Sequence, residues 1–173
     1  MTKLDPNVLN QMNRISDDIQ TNSSYIEEII DSVLNPFMKD LDAYVKKIQG
    51  RLQDKKNPPT DSELDDYCLN LSTMIYFASE GAERIGIRDG VAKTTYKEMY
   101  NTCRLNCRKG TALDKTNQAE LQSLKESVVS MAYASAYKTA KAKVDCAMEL
   151  LASVKKVISK RQDEMKLTRM ARD

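Results

Sequence analysis

Residues 117–166, NQAELQSLKESVVSMAYASAYKTAKAKVDCAMELLASVKKVISKRQDEMK, contain no glycine and no proline. Ala, Lys, Glu, Leu and Gln dominate them, and these are strong helix formers. After a turn at Thr111–Thr116, the spacing predicts one helix from about Asn117 to about Lys166. At the α-helical rise it would be roughly 75 Å long, more than a compact domain of this size needs. Within it, Tyr133, Tyr137, Ala140, Val144, Ala147, Leu151, Val154 and Ile158 alternate four and three apart. That is a heptad seam, and the small Ala140 and Ala147 allow close helix approach. The seam has two readings. It is the core stripe of a helical bundle, or it mates with the same helix of another subunit. Helix length favours the second, because the stripe outlasts the short partner helices expected from the rest of the chain. Upstream, Leu121, Leu124, Val128 and Met131 form a stripe in a shifted phase, so the helix has a face for a partner at each end.

Working back from this stretch, Gly110 reads as the C-cap of a helix over Val91–Lys109. Gly81, Gly86 and Gly90 punctuate Glu80–Gly90, with Arg84 and Arg88 between them. No strand precedes them and their spacing fits no nucleotide loop, so the segment reads as a helix–loop–helix corner. Asp54–Asp61, DKKNPPTD, forbids helix through its two prolines. Thr60–Glu63 then caps a helix through Leu64, Cys68, Leu71, Met74, Ile75 and Ala78. Its middle, Leu69–Ala78, is apolar nearly all round, which predicts the most buried helix of the fold. Nearer the start, Asp5-Pro6 opens a helix carrying Val8, Leu9, Met12, Ile15 and Ile19. Gln20–Ser23 is expected to break it. Ser24–Glu27 reads as a capping box for the next helix, striped Ile26, Ile30, Val33, Phe37, Leu41, Tyr44, Ile48 and Leu52. Pro36 is expected to kink or divide that helix near Asn35. The fold class is all-α: a helical bundle with one long C-terminal helix, expected to be oligomeric.

Composition narrows the function. The chain has 173 residues, no His and no Trp, and 30% of it is charged. General acid–base chemistry most often uses histidine, and neither a nucleophile motif nor a phosphate loop is present. The reading is therefore non-catalytic, with no cofactor. Asp17-Asp18 and Asp65-Asp66 read as caps and solvated faces. Cys68, Cys103, Cys107 and Cys146 read as thiols of a reducing compartment, and Cys103 and Cys107, one turn apart without His or CxxC, as half-buried hydrophobes rather than a metal site. No apolar run is long enough to span a bilayer. The start, MTKLDPNVLN, lacks a basic-then-apolar leader, so the expected location is the cytoplasm.

Net charge is +2, but its halves differ. Residues 1–92 hold ten Lys/Arg against sixteen Asp/Glu (−6), and residues 93–173 hold seventeen against nine (+8). The division is an acidic N-terminal helical region, 1–90, and a basic C-terminal one, 91–173, within one structural unit. Such a split fits an anionic partner, and equally fits self-assembly through neighbouring acidic and basic halves. At about 100° per residue, Lys93, Lys97, Tyr100, Arg104 and Arg108 share about a quarter of a helix circumference. Cations track phosphates and an aromatic ring offers a base a stacking surface. The plain alternative is a solvated face beside a core stripe of Tyr96, Met99, Cys103 and Cys107. Lys155, Lys156, Lys160 and Arg161 make a second cluster near the end of the long helix, continued by Lys166, Arg169 and Arg172. Cations there also complement the helix dipole.

The stretch Thr111–Met165 resembles the UvsY recombination mediator family of T-even phages. The likeness lies in a short Ala/Asp/Lys turn, a long helix with aromatics in its first half, and a small–Leu–x–x–Ile–Lys segment followed by basic residues. Leu150-Leu151-Ala152-Ser153-Val154-Lys155-Lys156 matches that segment. Lys93, Lys97, Arg104 and Arg108 sit where the family has a Lys/Arg-rich helix. The resemblance covers roughly the last eighty residues. This chain has a longer acidic N-terminal region and lacks the Gly that follows the family's basic segment. The resemblance implies an oligomer that binds single-stranded DNA and helps load a RecA-like recombinase while displacing single-strand-binding protein, in a host cytoplasm if phage-encoded. The competing reading is a helical oligomeric interaction protein without nucleic acid: a phage structural or adaptor subunit, or an inhibitor of a host factor.

Overall fold

The computed structural model describes residues 6–107 and 110–170, with side chains from Gln20 onward except at Asn22. Four helices account for nearly all of it: α1 (Pro6–Gln53), α2 (Asp61–Asn106), α3 (Ala112–Gln122) and α4 (Leu124–Met170). Among the described residues there is no strand, and the protein is an all-α helical bundle. It divides into two compact units. The first combines α1 up to Val33 with Ile87–Ala136, and the second combines Leu34–Gly86 with the chain from Tyr137 on. This division cuts across the compositional one at residues 90 and 91. The reason is that α1, α2 and α4 each contribute to both units, so acidic and basic segments occur together within each unit.

The second unit is a three-helix bundle. Leu34, Met38, Leu41 and Ile48 of α1 are buried, as are Leu64, Tyr67, Leu71, Ala78, Ala82 and Ile85 of α2. From α4 come Ala140, Val144, Ala147 and Val154. These positions recur at three- and four-residue steps on all three helices, the spacing of knobs-into-holes packing. Each buried Leu, Ile or Met contributes about 1.5–3 kcal/mol by leaving water. Ala140, Val144, Ala147 and Val154 are at most 7% exposed, so the chain's own helices fill the middle of the heptad seam. Tyr133, Tyr137, Leu151 and Ile158 are half-buried. The length argument for an intermolecular seam rested on short partner helices. With 48 residues in α1, 46 in α2 and 47 in α4, the partners are as long as the seam helix.

Several expected breaks are absent. Helix α1 runs through Gln20–Ser23, where the Ser24 hydroxyl donates to the Gln20 carbonyl at 3.0 Å instead of capping a new start. A hydroxyl that folds back one turn lets a turn-forming residue stay helical. Pro36 lies inside α1 and does not end it. Helix α2 runs through the expected corner at Glu80–Gly90. Two of its glycines are packing positions: a Cβ at Gly81 would stand 2.6 Å from Phe37 Cβ, and one at Gly86 2.8 Å from Tyr137 Cε2.

The loop at residues 54–60 forms as expected, tied from both sides. Arg51 on α1 reaches Glu63 at 2.9 Å and the Asn57 carbonyl at 3.2 Å. Arg161 on α4 donates to the Pro59 carbonyl and to Asp61 Oδ1, both at 2.8 Å. Thr60 and Glu63 complete a reciprocal cap: the Thr60 N–H donates to Glu63 Oε2 at 2.7 Å, and the Glu63 N–H to Thr60 Oγ1 at 3.2 Å.

Past α2 the expected turn at Thr111–Thr116 is helix from Ala112 onward. Thr111 caps α3 by accepting from the Asp114 N–H, and Asp114 accepts from the Thr111 N–H at 2.8 Å. Gly110 lies four residues beyond the end of α2, with φ at +107°, a conformation that favours glycine. The single long helix is two, interrupted at the buried Ser123. Its N–H and hydroxyl both donate to the Ala119 carbonyl, at 3.0 and 2.7 Å, so the step between α3 and α4 is one residue wide.

Candidate nucleic-acid interface

In the first unit the basic face lies on α2 beyond Ile87. The hydroxyls of Thr94 and Thr95 return to the carbonyls of Gly90 and Val91, keeping this polar stretch helical. Lys93, Lys97, Tyr100 and Arg104 fall within about 60° of one another around the helix. The structure gives them unequal roles. Lys93 Nζ lies 2.6 Å from Asp89 Oδ2, and Asp89 is buried at 6% exposure. Lys93 is therefore the counter-ion of a carboxylate inside the fold, and its charge is largely neutralised. Lys97 and Arg104 are exposed and, among the described residues, have no acidic partner within 4.0 Å. Tyr100 is half-buried beside Tyr96, the ring centroids 6.3 Å apart and tilted by 50°. Arg108 lies outside the described residues.

The second cluster belongs to the second unit. Lys155 and Lys156 are exposed, and Lys160 is exposed with Glu164 3.8 Å away. Arg161 is committed to the 54–60 loop, where burial of its stem and its two hydrogen bonds give it a structural role. Two of the residues expected to meet nucleic acid, Lys93 and Arg161, thus serve the fold.

Among the described residues no three Cys, Asp or Glu side chains gather around a common point. All four cysteines are free thiols. Burial pushes the Cys68 thiol above its ordinary value, with Lys155 pulling the other way. No described helix is long and apolar enough to cross a membrane.

Two features were not legible as sites. Leu69, Tyr76 and Phe77, expected inside, are 69%, 69% and 63% exposed on the outer side of α2. Their signal was the all-round apolar run, which reads as burial when the third side of the helix is assumed covered. The first unit also holds an apolar cleft of about 360 Å³ walled by Ile87, Val91, Val129 and Tyr133, with Arg88 and Lys125 at its edge. No family model matches the chain, and no curated protein or solved structure matches it.

Proposed function

We propose that this protein is a non-catalytic, single-stranded-DNA-binding protein whose contact surface is the Lys97–Arg104 face of α2. One observation carries the reading: two exposed cations seven residues apart flank Tyr100 and lack acidic partners among the described residues. Unpaired cations release counterions when they meet phosphates, and a neighbouring ring adds stacking. Lys155 and Lys156 offer a second, separate contact. In its specific form the proposal follows the resemblance: a recombination mediator that helps load a RecA-like recombinase against single-strand-binding protein, with catalysis left to the recombinase.

The test is a salt titration of oligo-dT binding. Each phosphate contact on a single strand contributes about −0.7 to the slope of log affinity against log salt, so Lys97→Ala/Arg104→Ala should flatten it by about 1.4. Binding that is absent at low salt, or a slope that the double variant leaves unchanged, defeats the proposal. A helical interaction protein without nucleic acid is the second reading, favoured by the exposed Leu69, Tyr76 and Phe77. Light scattering separates them, since assemblies indifferent to oligonucleotide support the second.

A further inference from the structure

The outer side of α2 in the second unit carries Leu69 and, two turns further on, Tyr76 and Phe77, all more than 60% exposed. Tyr76 and Phe77 stand edge to face, ring centroids 5.5 Å apart, and form a protruding aromatic pair. Beside them, between α1 and α2, opens a cleft of about 450 Å³. Phe77 forms part of its rim, Phe37 and Met74 wall it, and Gly81 deepens it by bringing no side chain. Asp40, Glu80 and Arg84 are its charged lining.

We propose that this face is an interface between two copies of this chain, packed about a two-fold axis with Tyr76 of each copy seated in the other's cleft. Shape argues for it. A knob and a hole on the same patch are what a self-complementary, isologous contact requires. Charge argues for it too. Glu80 and Arg84 pair within one helix at 2.6 Å while both stay more than half exposed, so each is free to exchange partners with the other copy's pair. Asp40 supplies an acceptor for the incoming phenol. With Glu80 paired to Arg84, Asp40 leaves the cleft net negative, which disfavours a phosphate backbone beside the aromatic pair.

Area sets its strength. At two-thirds exposure the three side chains present roughly 350 Å² per copy, on the typical area of large apolar and aromatic residues. Two copies give roughly 700 Å², below the ~1,200 Å² of a stable interface, so the association is weak and concentration-dependent. An apolar patch of this size falls in the range of a monomer's largest, which is often functional. The inference does not rest on the nucleic-acid reading, and it places self-association away from the heptad seam.

Sedimentation equilibrium of the full chain tests it. The expected mass rises with concentration from 19.6 kDa toward twice that value. Tyr76→Ser/Phe77→Ser should weaken association by roughly a hundredfold or more, because an apolar ring is lost from each of two pockets. Both residues are exposed in the single chain, so its helicity and Tm should hold. Arg84→Glu should also weaken association, and Glu80→Arg/Arg84→Glu should restore it. A chain monomeric at every concentration overturns the proposal. So does association that the double serine variant leaves unchanged, or an Arg84→Glu defect that the charge swap fails to repair. Oligo-dT affinity should survive the serine substitutions. Its loss, with association intact, assigns the face to DNA and overturns the proposal as well.

Discussion

Replacing the glycines of α2 one at a time by alanine separates packing from helix propensity within a single helix. Alanine gains about 0.8–1.0 kcal/mol over glycine in a helix interior. At Gly90 a new methyl meets nothing within 4 Å, so Gly90→Ala keeps that whole gain. For a chain of this size it should raise Tm by about 2–4 °C. At Gly81 the methyl falls 2.6 Å from Phe37 Cβ, 2.7 Å from Cγ and 2.8 Å from Cδ1. Carbon atoms prefer about 3.5–4.0 Å, and a Cβ is fixed to its backbone, so no rotamer change removes this clash. Helix α1 must move off α2 by about 1 Å. Overpacking of this kind costs about 1–3 kcal/mol, which outweighs the propensity gain. Gly81→Ala should lower Tm, by about 2–4 °C for each net kcal/mol. Gly86→Ala lies between: its contacts are the far edge of the Tyr137 ring, at 2.8 Å, which can swing away at the expense of its contact with Lys141, now 4.7 Å over the ring. Thermal and urea unfolding followed by far-UV circular dichroism reads all three. If Gly81→Ala stabilises as much as Gly90→Ala, the close approach of α1 and α2 is wrong, and a flexible corner again becomes the reason for these glycines.

The remaining expectations concern the loop and the seam. Arg161→Ala removes two hydrogen bonds that hold residues 59–61. For a partly exposed arginine that should cost about 1 kcal/mol and speed tryptic cleavage at Lys55 and Lys56, while oligo-dT affinity falls less than in Lys155→Ala/Lys156→Ala. The Thr60 N–H, then Arg51, hold the Glu63 carboxyl below its ordinary 4.5. A carboxyl lowered by folding stabilises above its unfolded value and loses that contribution as pH falls through the folded one. Stability should therefore drop as pH falls below about 4.5, and Glu63→Gln should flatten that part of a Tm–pH profile; Asp114, held down by Thr111, acts the same way at α3. Ala147→Leu places a larger side chain at a position with 0% exposure, so it should destabilise the single chain by about 1–3 kcal/mol in urea unfolding. A seam reserved for a second copy would instead leave the monomer intact and change only its mass.

How much of this was legible depends on which forces act locally. The 54–60 loop was, because two prolines exclude helix whatever lies nearby. The stripes of α1, α2 and α4 were, because burial imposes its period on sequence. Gly81 and Gly86 misled, because in sequence alone a glycine that admits another helix looks like a glycine that ends one. Ser123 left no visible mark in a run of helix formers. Leu69, Tyr76 and Phe77 looked buried because an apolar residue reports a preference for leaving water and not which surface grants it.

Charge shows the same limit most clearly. The acidic and basic halves were open to an anionic partner or to a neighbouring copy. In the second unit they meet within the chain. Lys143 pairs with Asp42, Lys141 lies 3.8 Å from Glu83, and Arg161 lies 2.8 Å from Asp61. Each pair joins a cation beyond residue 92 to a carboxylate before it. These pairs are partly exposed and each adds at most about 1 kcal/mol, so they do not drive folding. They match one register, because sliding α4 by one turn would set Lys143 beside other groups and leave Asp42 unmatched. That accounts for part of the split without any partner. Lys97 and Arg104 in the first unit and Lys155 and Lys156 in the second are among the exposed cations that no such pair neutralises. A nucleic acid that binds this protein has those cations to meet, and the salt slope of the Lys97→Ala/Arg104→Ala variant decides whether it does.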